Sequence, residues 1–190
     1  INLVGILDGA FKAVHVEGAS NIAEEAKRAG ATALVHISAI GADPQSESLY
    51  GASKGEAEGK IRAAFRGATI VRPSLVFGPE DQLTNRFAGL MSRLPVYPVI
   101  APRTRFQPVY VRDLARAIAA AALDPGTHAG KTYEIAGPQV MTMRELTETI
   151  GSLSSQSPML VDLPDFAAQA ISWFGFLPGA PLTRDQWLML

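Results

Sequence analysis

The sequence has 190 residues, of which 47% are hydrophobic and 18% charged, a composition that excludes an intrinsically disordered chain. Seventeen basic side chains stand against 18 acidic ones, for a formal net charge of −1, unlike the clustered basic excess of a nucleic-acid binder. There is no cysteine, hence no disulfide framework and no thiolate site; no apolar run reaches the roughly 18 residues of a membrane span, and no signal peptide is expected.

Residues 1–7 are a short apolar run, read as a strand. Residues 16–29 predict a helix, since Ile22, Ala23, Ala26 and Ala29 recur at three- and four-residue spacing. Gly30 stands where a C-terminal cap belongs. Residues 32–40 form a continuous apolar strand, and 41–48 a loop of Gly, Asp, Pro and Ser. Residues 49–65 predict a second helix, closed by Gly67. Residues 68–77 begin as a strand broken at Pro73. Helices are expected over 85–93 and 113–123, the latter capped by Asp113, with an extended stretch over 106–111 between them. A strand follows over 131–136. Thr142 and Glu145 form a capping box for a helix over 143–150. The tail beyond Pro158 is apolar and Pro-punctuated, with one helix over about 165–174.

Strands alternating with helices read as βαβ units around a mostly parallel sheet. The strands are apolar throughout, as they are when helices cover both faces. One domain is expected over 1–157, with 158–190 as an irregular, helical appendage.

The sharpest local feature is Y-G-A-S-K, from Tyr50 to Lys54, at the start of a helix. Residues four apart share a helical face, so phenol and ammonium can point into one cleft. A nearby cation favours the phenolate, and a phenol so tuned can exchange a proton with a substrate hydroxyl or carbonyl. Alone the motif is weak. Ser38, however, ends the preceding strand, at the edge where open parallel sheets bind ligands, and the strand running into Pro73 ends at the same edge. Elsewhere the plain readings hold. His15, His36 and His128 are far apart and no metal site is expected; His36 reads as a hydrogen-bonded core residue. Glu56 and Glu58 read as solvated charges. Phe166, Ile171, Trp173, Phe174, Phe176 and Leu177 read as core packing or as a contact with another domain.

The segments H-I-S-A-I-G-A-D, Y-G-A-S-K-G-E-A-E, T-I-V-R-P-S-L-V-F-G-P-E-D and F-Q-P-V-Y-V-R-D-L-A, in that order, resemble the short-chain dehydrogenase/reductase superfamily, in its extended and atypical NAD-dependent epimerase/dehydratase-like branch. N-L-V-G near the start, G-P-E-D-Q-L-T-N-R-F-A-G-L and the tail L-T-R-D-Q narrow the likeness to the group containing the nucleotide-binding accessory subunit of respiratory complex I and its bacterial relatives. The resemblance implies an α/β, Rossmann-like fold with NAD or NADP as cofactor. In it, 1–157 is the later part of the NAD(P)-binding domain and 158–190 a substrate-side region. Tyr50 is then the catalytic acid/base and Lys54 its partner, which also holds the nicotinamide ribose. Ser38 orients the substrate. Pro73, Ser74 and Val76 lie against the nicotinamide, and Leu3, Val4 and Gly5 pass near the adenosine ribose and phosphates.

Two functions are expected from this. One is an NAD(P)-dependent oxidoreductase or epimerase acting on a small carbonyl or hydroxyl compound. The other is a non-catalytic NADP(H)-binding accessory subunit of respiratory NADH:quinone oxidoreductase. A ligand sensor on the same fold is a third. The implied location is the cytoplasm, or the periphery of the inner membrane, on the matrix side in a eukaryote. The family's G-x-x-G-x-x-G turn, whose helix receives the pyrophosphate, is missing from the sequence. The chain is therefore expected to be part of a larger domain, to bind dinucleotide weakly by itself, and to self-associate through the apolar edge over 1–7.

Overall fold

In the computed structural model, which describes residues 1–7, 9–173 and 183–189, a π-helical turn (Lys12–Glu17) runs into α1 (Gly18–Arg28). There follow β1 (Val35–Ile37), α2 (Leu49–Ala64), β2 (Thr69–Pro73), β3 (Val76–Phe77), α3 (Gln82–Met91), β4 (Val96–Val99), β5 (Arg105–Phe106) and β6 (Val109–Tyr110). Then come α4 (Val111–Leu123), α5 (Pro125–His128), β7 (Thr132–Ile135), β8 (Met141–Thr142), α6 (Met143–Leu153), β9 (Met159–Asp162), α7 (Asp165–Trp173) and α8 (Arg184–Leu188). The chain divides into two compact units, Ile1–Ser74 with Val111–Ala136, and Leu75–Tyr110 with Gly137–Leu190. The boundary expected at 157/158 falls inside the second unit, between α6 and β9.

The first unit is built on a parallel sheet of order β1-β2-β7, in which Val35 pairs with Thr69 and Ile70 with Thr132. Successive side chains of a strand point to opposite faces. Val35 and His36, and Ile70 and Val71, are all buried, so both faces of β1 and β2 are covered. Ala19 and Ala23 of α1, Ala57 and Ile61 of α2, and Ile70 form one core cluster with Leu34 and Ala68. α4 packs against β1 and β2. α1 ends as its sequence requires: Gly30 takes φ +70°, and the Gly30 and Ala31 amides donate to Lys27 O at 3.1 Å and Ala26 O at 2.9 Å, a Schellman turn that needs a residue tolerant of the left-handed region.

The strand expected over 1–7 shrinks to a single bridge between Asn2 and His36. The cause is competition from side chains for the backbone amides. Val4 N–H donates to Asn2 Oδ1 at 3.2 Å and Ile6 N–H to His15 Nε2 at 2.9 Å, so neither continues the ladder. Ile1, Leu3, Val4 and Leu7 stay exposed. The strand expected over 32–40 is likewise only Val35–Ile37. Asp113 is not a cap: α4 begins two residues earlier, and Asp113 sits in its first turn, paired with Arg116 at 2.9 Å.

In the second unit, Met91 of α3, Tyr97 and Val99 of β4, and Met143, Leu146 and Ile150 of α6 form the core cluster. The capping box of α6 is formed as expected, with Thr142 N–H donating to Glu145 Oε2 at 2.7 Å and Glu145 N–H to Thr142 Oγ1 at 3.2 Å. The parallel pair β4–β9 is a feature the sequence reading missed. Pro98 hides it, because a strand proline is tolerated only where no ladder amide is needed, as in a two-stranded edge. Phe174, Phe176 and Leu177 lie outside the described residues. Among the described residues no helix is long and apolar enough to cross a membrane, and no cluster of His, Cys, Asp or Glu could hold a metal ion.

Candidate functional site

α2 opens on Ser48, whose side chain accepts the Gly51 amide at 3.2 Å. This cap sets the helix start so that Tyr50, Lys54 and Glu58, four residues apart, share one broad face. Lys54 is 3% exposed. Its ammonium donates to Ile37 O at 3.2 Å and to Val4 O at 3.5 Å, and it lies 5.8 Å from the centre of the Tyr50 ring. The approach is close at Gly5, where a Cβ would stand 3.3 Å from the Lys54 nitrogen. Burial lowers the Lys54 pKa from 10.5 to about 8. Burial pushes the Tyr50 phenol up. The phenolate-favouring effect expected from Lys54 is thus outweighed by desolvation.

His15, whose sequence neighbourhood suggests no role, packs against Tyr50 in this site. Its Nε2 accepts the Ile6 amide at 2.9 Å, and its Nδ1 lies 2.8 Å from Ser53 Oγ. The single Ser53 hydroxyl proton is given to Tyr50 O at 2.9 Å, so Nδ1 must be the donor to Oγ. The ring is therefore the neutral Nδ1–H tautomer. Burial, followed by the charge of Lys54, lowers its pKa to about 4. The π-helical turn places Phe11 and His15 edge-on or tilted against each other and against Tyr50, with His15 and Tyr50 centroids 5.5 Å apart.

Ser38 stands at the end of β1, 3% exposed, its amide donating to Val71 O at 2.7 Å. Its hydroxyl meets no hydrogen-bond partner within normal geometry, yet lies near enough to Glu58 to help hold that carboxyl ionised. His36 is buried, but it is not the hydrogen-bonded core residue expected: neither ring nitrogen has a partner, and burial, then Lys54, lowers its pKa to about 4.

Glu58 overturns the surface-charge reading. It is 2% exposed and grips Arg72 of β2 with both oxygens, Oε1 to Nε at 2.8 Å and Oε2 to Nη2 at 2.9 Å. Arg62 adds a contact at 3.2 Å. Burial alone would raise the Glu58 pKa, but the hydrogen bonds from Arg72, the nearby Ser38 hydroxyl and the charges of Arg72 and Arg62 bring it below the usual carboxylate value. Arg72 also reaches Glu134 of β7 at 3.5 Å. Glu56 is exposed, as expected.

Pro73 O accepts the Ile40 amide at 3.2 Å, and Ser74 N–H donates to Ile135 O at 2.9 Å. Ser38, the Lys54 ammonium, Pro73 and Ser74 thus gather at the carboxyl ends of β1, β2 and β7, the ligand edge of a parallel sheet. Leu3 and Val4 are exposed, with Val4 O turned to Lys54. Val76 lies in the second unit, in β3, paired with Val109. A buried cation, a protonated phenol and a hydroxyl at one edge suit a ligand rich in hydroxyls, such as the nicotinamide ribose of a dinucleotide. The unpartnered Ser38 oxygen and the side-chain-free approach at Gly5 fit that half of such a ligand. The sequence holds no glycine-rich turn for its pyrophosphate.

A family model described as the RmlD substrate binding domain matches residues 8–165. The chain is 38% identical over 144 residues to the mitochondrial NADH dehydrogenase [ubiquinone] 1 alpha subcomplex subunit 9 of Arabidopsis thaliana, a match covering 75% of this chain and 36% of that protein. It is 32% identical over 155 residues to the ceramide reductase of Caulobacter vibrioides, covering 82% of this chain and 48% of that protein. Among solved structures, dTDP-4-dehydrorhamnose reductase from Bacillus anthracis in complex with NADP superposes with a TM-score of 0.70 at 21% identity, over 92% of this chain and 62% of that one. That likeness is one of fold, α/β and Rossmann-like. The chain spans less than half the length of these two curated relatives.

Proposed function

The chain belongs to the RmlD substrate binding domain family, and on that premise we propose that it is an NAD(P)(H)-binding accessory subunit of a respiratory NADH:quinone oxidoreductase. The observation that carries the reading is the state of the Tyr50–Lys54 pair. Burial keeps the phenol protonated, and the ammonium is held by two backbone carbonyls, an arrangement suited to binding a ribose more than to giving up the Tyr50 proton at neutral pH. The partner comes from the relatives, among them a subunit of the mitochondrial complex. In a eukaryote the protein would sit at the matrix side of the inner membrane.

A second reading, an NAD(P)-dependent oxidoreductase or epimerase, is favoured by one specific feature: Lys54 stays 5.8 Å from the centre of the Tyr50 ring, and one relative is named a ceramide reductase. A bound nicotinamide would supply hydride transfer. Tyr50 would then move the proton at its phenol oxygen, Lys54 would hold the ribose, and Ser38 would orient the substrate oxygen.

Native gel electrophoresis of solubilised membranes separates the readings. The accessory-subunit reading expects the protein to migrate with the NADH:quinone oxidoreductase in both the parent and Tyr50→Phe strains. Migration apart from the complex, together with a reductase activity that Tyr50→Phe abolishes, overturns it in favour of the enzyme.

A further inference from the structure

Tyr50, Lys54 and Glu58 lie on one face of α2, yet only the first two have a role in the chemistry described so far. Glu58 is as deeply buried as the core isoleucines. Fold stability does not demand a charge there, because a buried ion pair is commonly replaced by apolar side chains without loss. What the pair does supply is orientation. A planar guanidinium gripping both carboxylate oxygens fixes an angle as well as a distance. Lys54 ties α2 to the end of β1 through Ile37 O; Glu58, one turn further on, ties it to Arg72, one residue before Pro73 in β2. Arg72 is registered against Glu134 across the next strand pair. α2 is thus pinned at two points to two adjacent strands, and both pins stand near the edge where the candidate ligand groups gather.

We propose that Glu58 and Arg72 are a positioning pair, fixing the rotation of α2 against β2 and so the places of the Tyr50 phenol and the Lys54 ammonium at the sheet edge. This rests on the reading of Tyr50 and Lys54 as the dinucleotide-binding pair. The pair also bears on the field around Lys54: His15, His36 and Tyr50 face the ammonium, Glu58 stands one helical turn away on the same face, and Arg62 and Arg72 contact Glu58. Loss of the Glu58 charge leaves the guanidinium charges unopposed and makes the Lys54 proton easier to remove; loss of Arg72 leaves a bare carboxylate and does the reverse.

The test reads Lys54 without any ligand, by the rate of its acetylation with acetic anhydride as a function of pH, followed by mass spectrometry on the purified protein. Circular dichroism first establishes which variants are folded. The midpoint of the Lys54 profile is expected to fall in Glu58→Gln and rise in Arg72→Met. The charge-conserving variants Glu58→Asp and Arg72→Lys, which spoil only the two-pronged geometry, keep the test open if the first two fail to fold; they are expected to weaken NADPH binding about tenfold at unchanged net charge. A structural pair would lower the melting temperature and leave, in the folded charge-conserving variants, both the Lys54 midpoint and the NADPH affinity unchanged, and that result overturns the proposal. If instead the midpoint moves in Glu58→Asp and Arg72→Lys while Lys54→Ala binds NADPH normally, the positioning pair stands and the dinucleotide reading of the site fails.

Discussion

Lys54 carries an ammonium to a place 3% exposed, where burial lowers its pKa to about 8. The unfolded chain holds that proton up to about 10.5, so between the two values the unfolded state binds more protons and stability rises with pH. At neutral pH the buried charge works against the fold. Lys54→Met is therefore expected to stabilise the protein by about 1–2 kcal/mol while weakening NADPH binding, as thermal melts and fluorescence titration would measure. The buried histidines have the same sign. His15 and His36 are held near pKa 4 when folded, against 6.5 when unfolded. As pH falls from 6.5 to 4 the unfolded chain takes up protons first, and stability drops by up to about 1.4 kcal/mol per pH unit for each histidine. His36→Leu should flatten the fall in melting temperature between pH 6.5 and 4.5; an unchanged slope would show that His36 is not the group responsible. The Tyr50–Lys54 spacing was readable in the sequence because both residues lie on one helix. His15, Glu58 and Arg72 were not, because their partners sit on other elements and each looked like an ordinary surface or core residue in its own segment.

α2 meets the loop before it at Gly55. A Cβ there would lie 2.4 Å from Pro44 N and 2.5 Å from Asp43 C, and backbone atoms cannot move aside as a flexible side chain can. Gly59, one turn later, has nothing within 4 Å. Gly55→Ala is expected to destabilise by about 2–3 kcal/mol, and Gly59→Ala to stabilise by about 0.5–1 kcal/mol through helix propensity, both measured by chemical denaturation. Equal effects of the two would contradict the packing described. The helices could be read in sequence from their periodicity and caps, Gly30 and the Thr142–Glu145 box above all. The elements that could not be read depend on competition between distant groups: residues 1–7 lose their strand to Asn2 Oδ1 and His15 Nε2, the π-helical turn (Lys12–Glu17) has no periodicity of its own, and β4 conceals itself behind Pro98.

For the molecule as a whole, the order of strands and helices in the sequence already pointed to a parallel α/β sheet, and the first unit has one. The interleaving of two units along the chain left no compositional mark. On the reading proposed above, the Tyr50–Lys54 face is a dinucleotide-binding surface whose phenol does not need to ionise. NADPH titration of the natural full-length protein, followed by fluorescence, tests it most directly. Binding is predicted to be lost or weakened at least about tenfold in Lys54→Ala, a change of roughly 1.4 kcal/mol or more, and to stay within about twofold of the parent in Tyr50→Phe. Equal affinity in the parent and in Lys54→Ala would contradict the account.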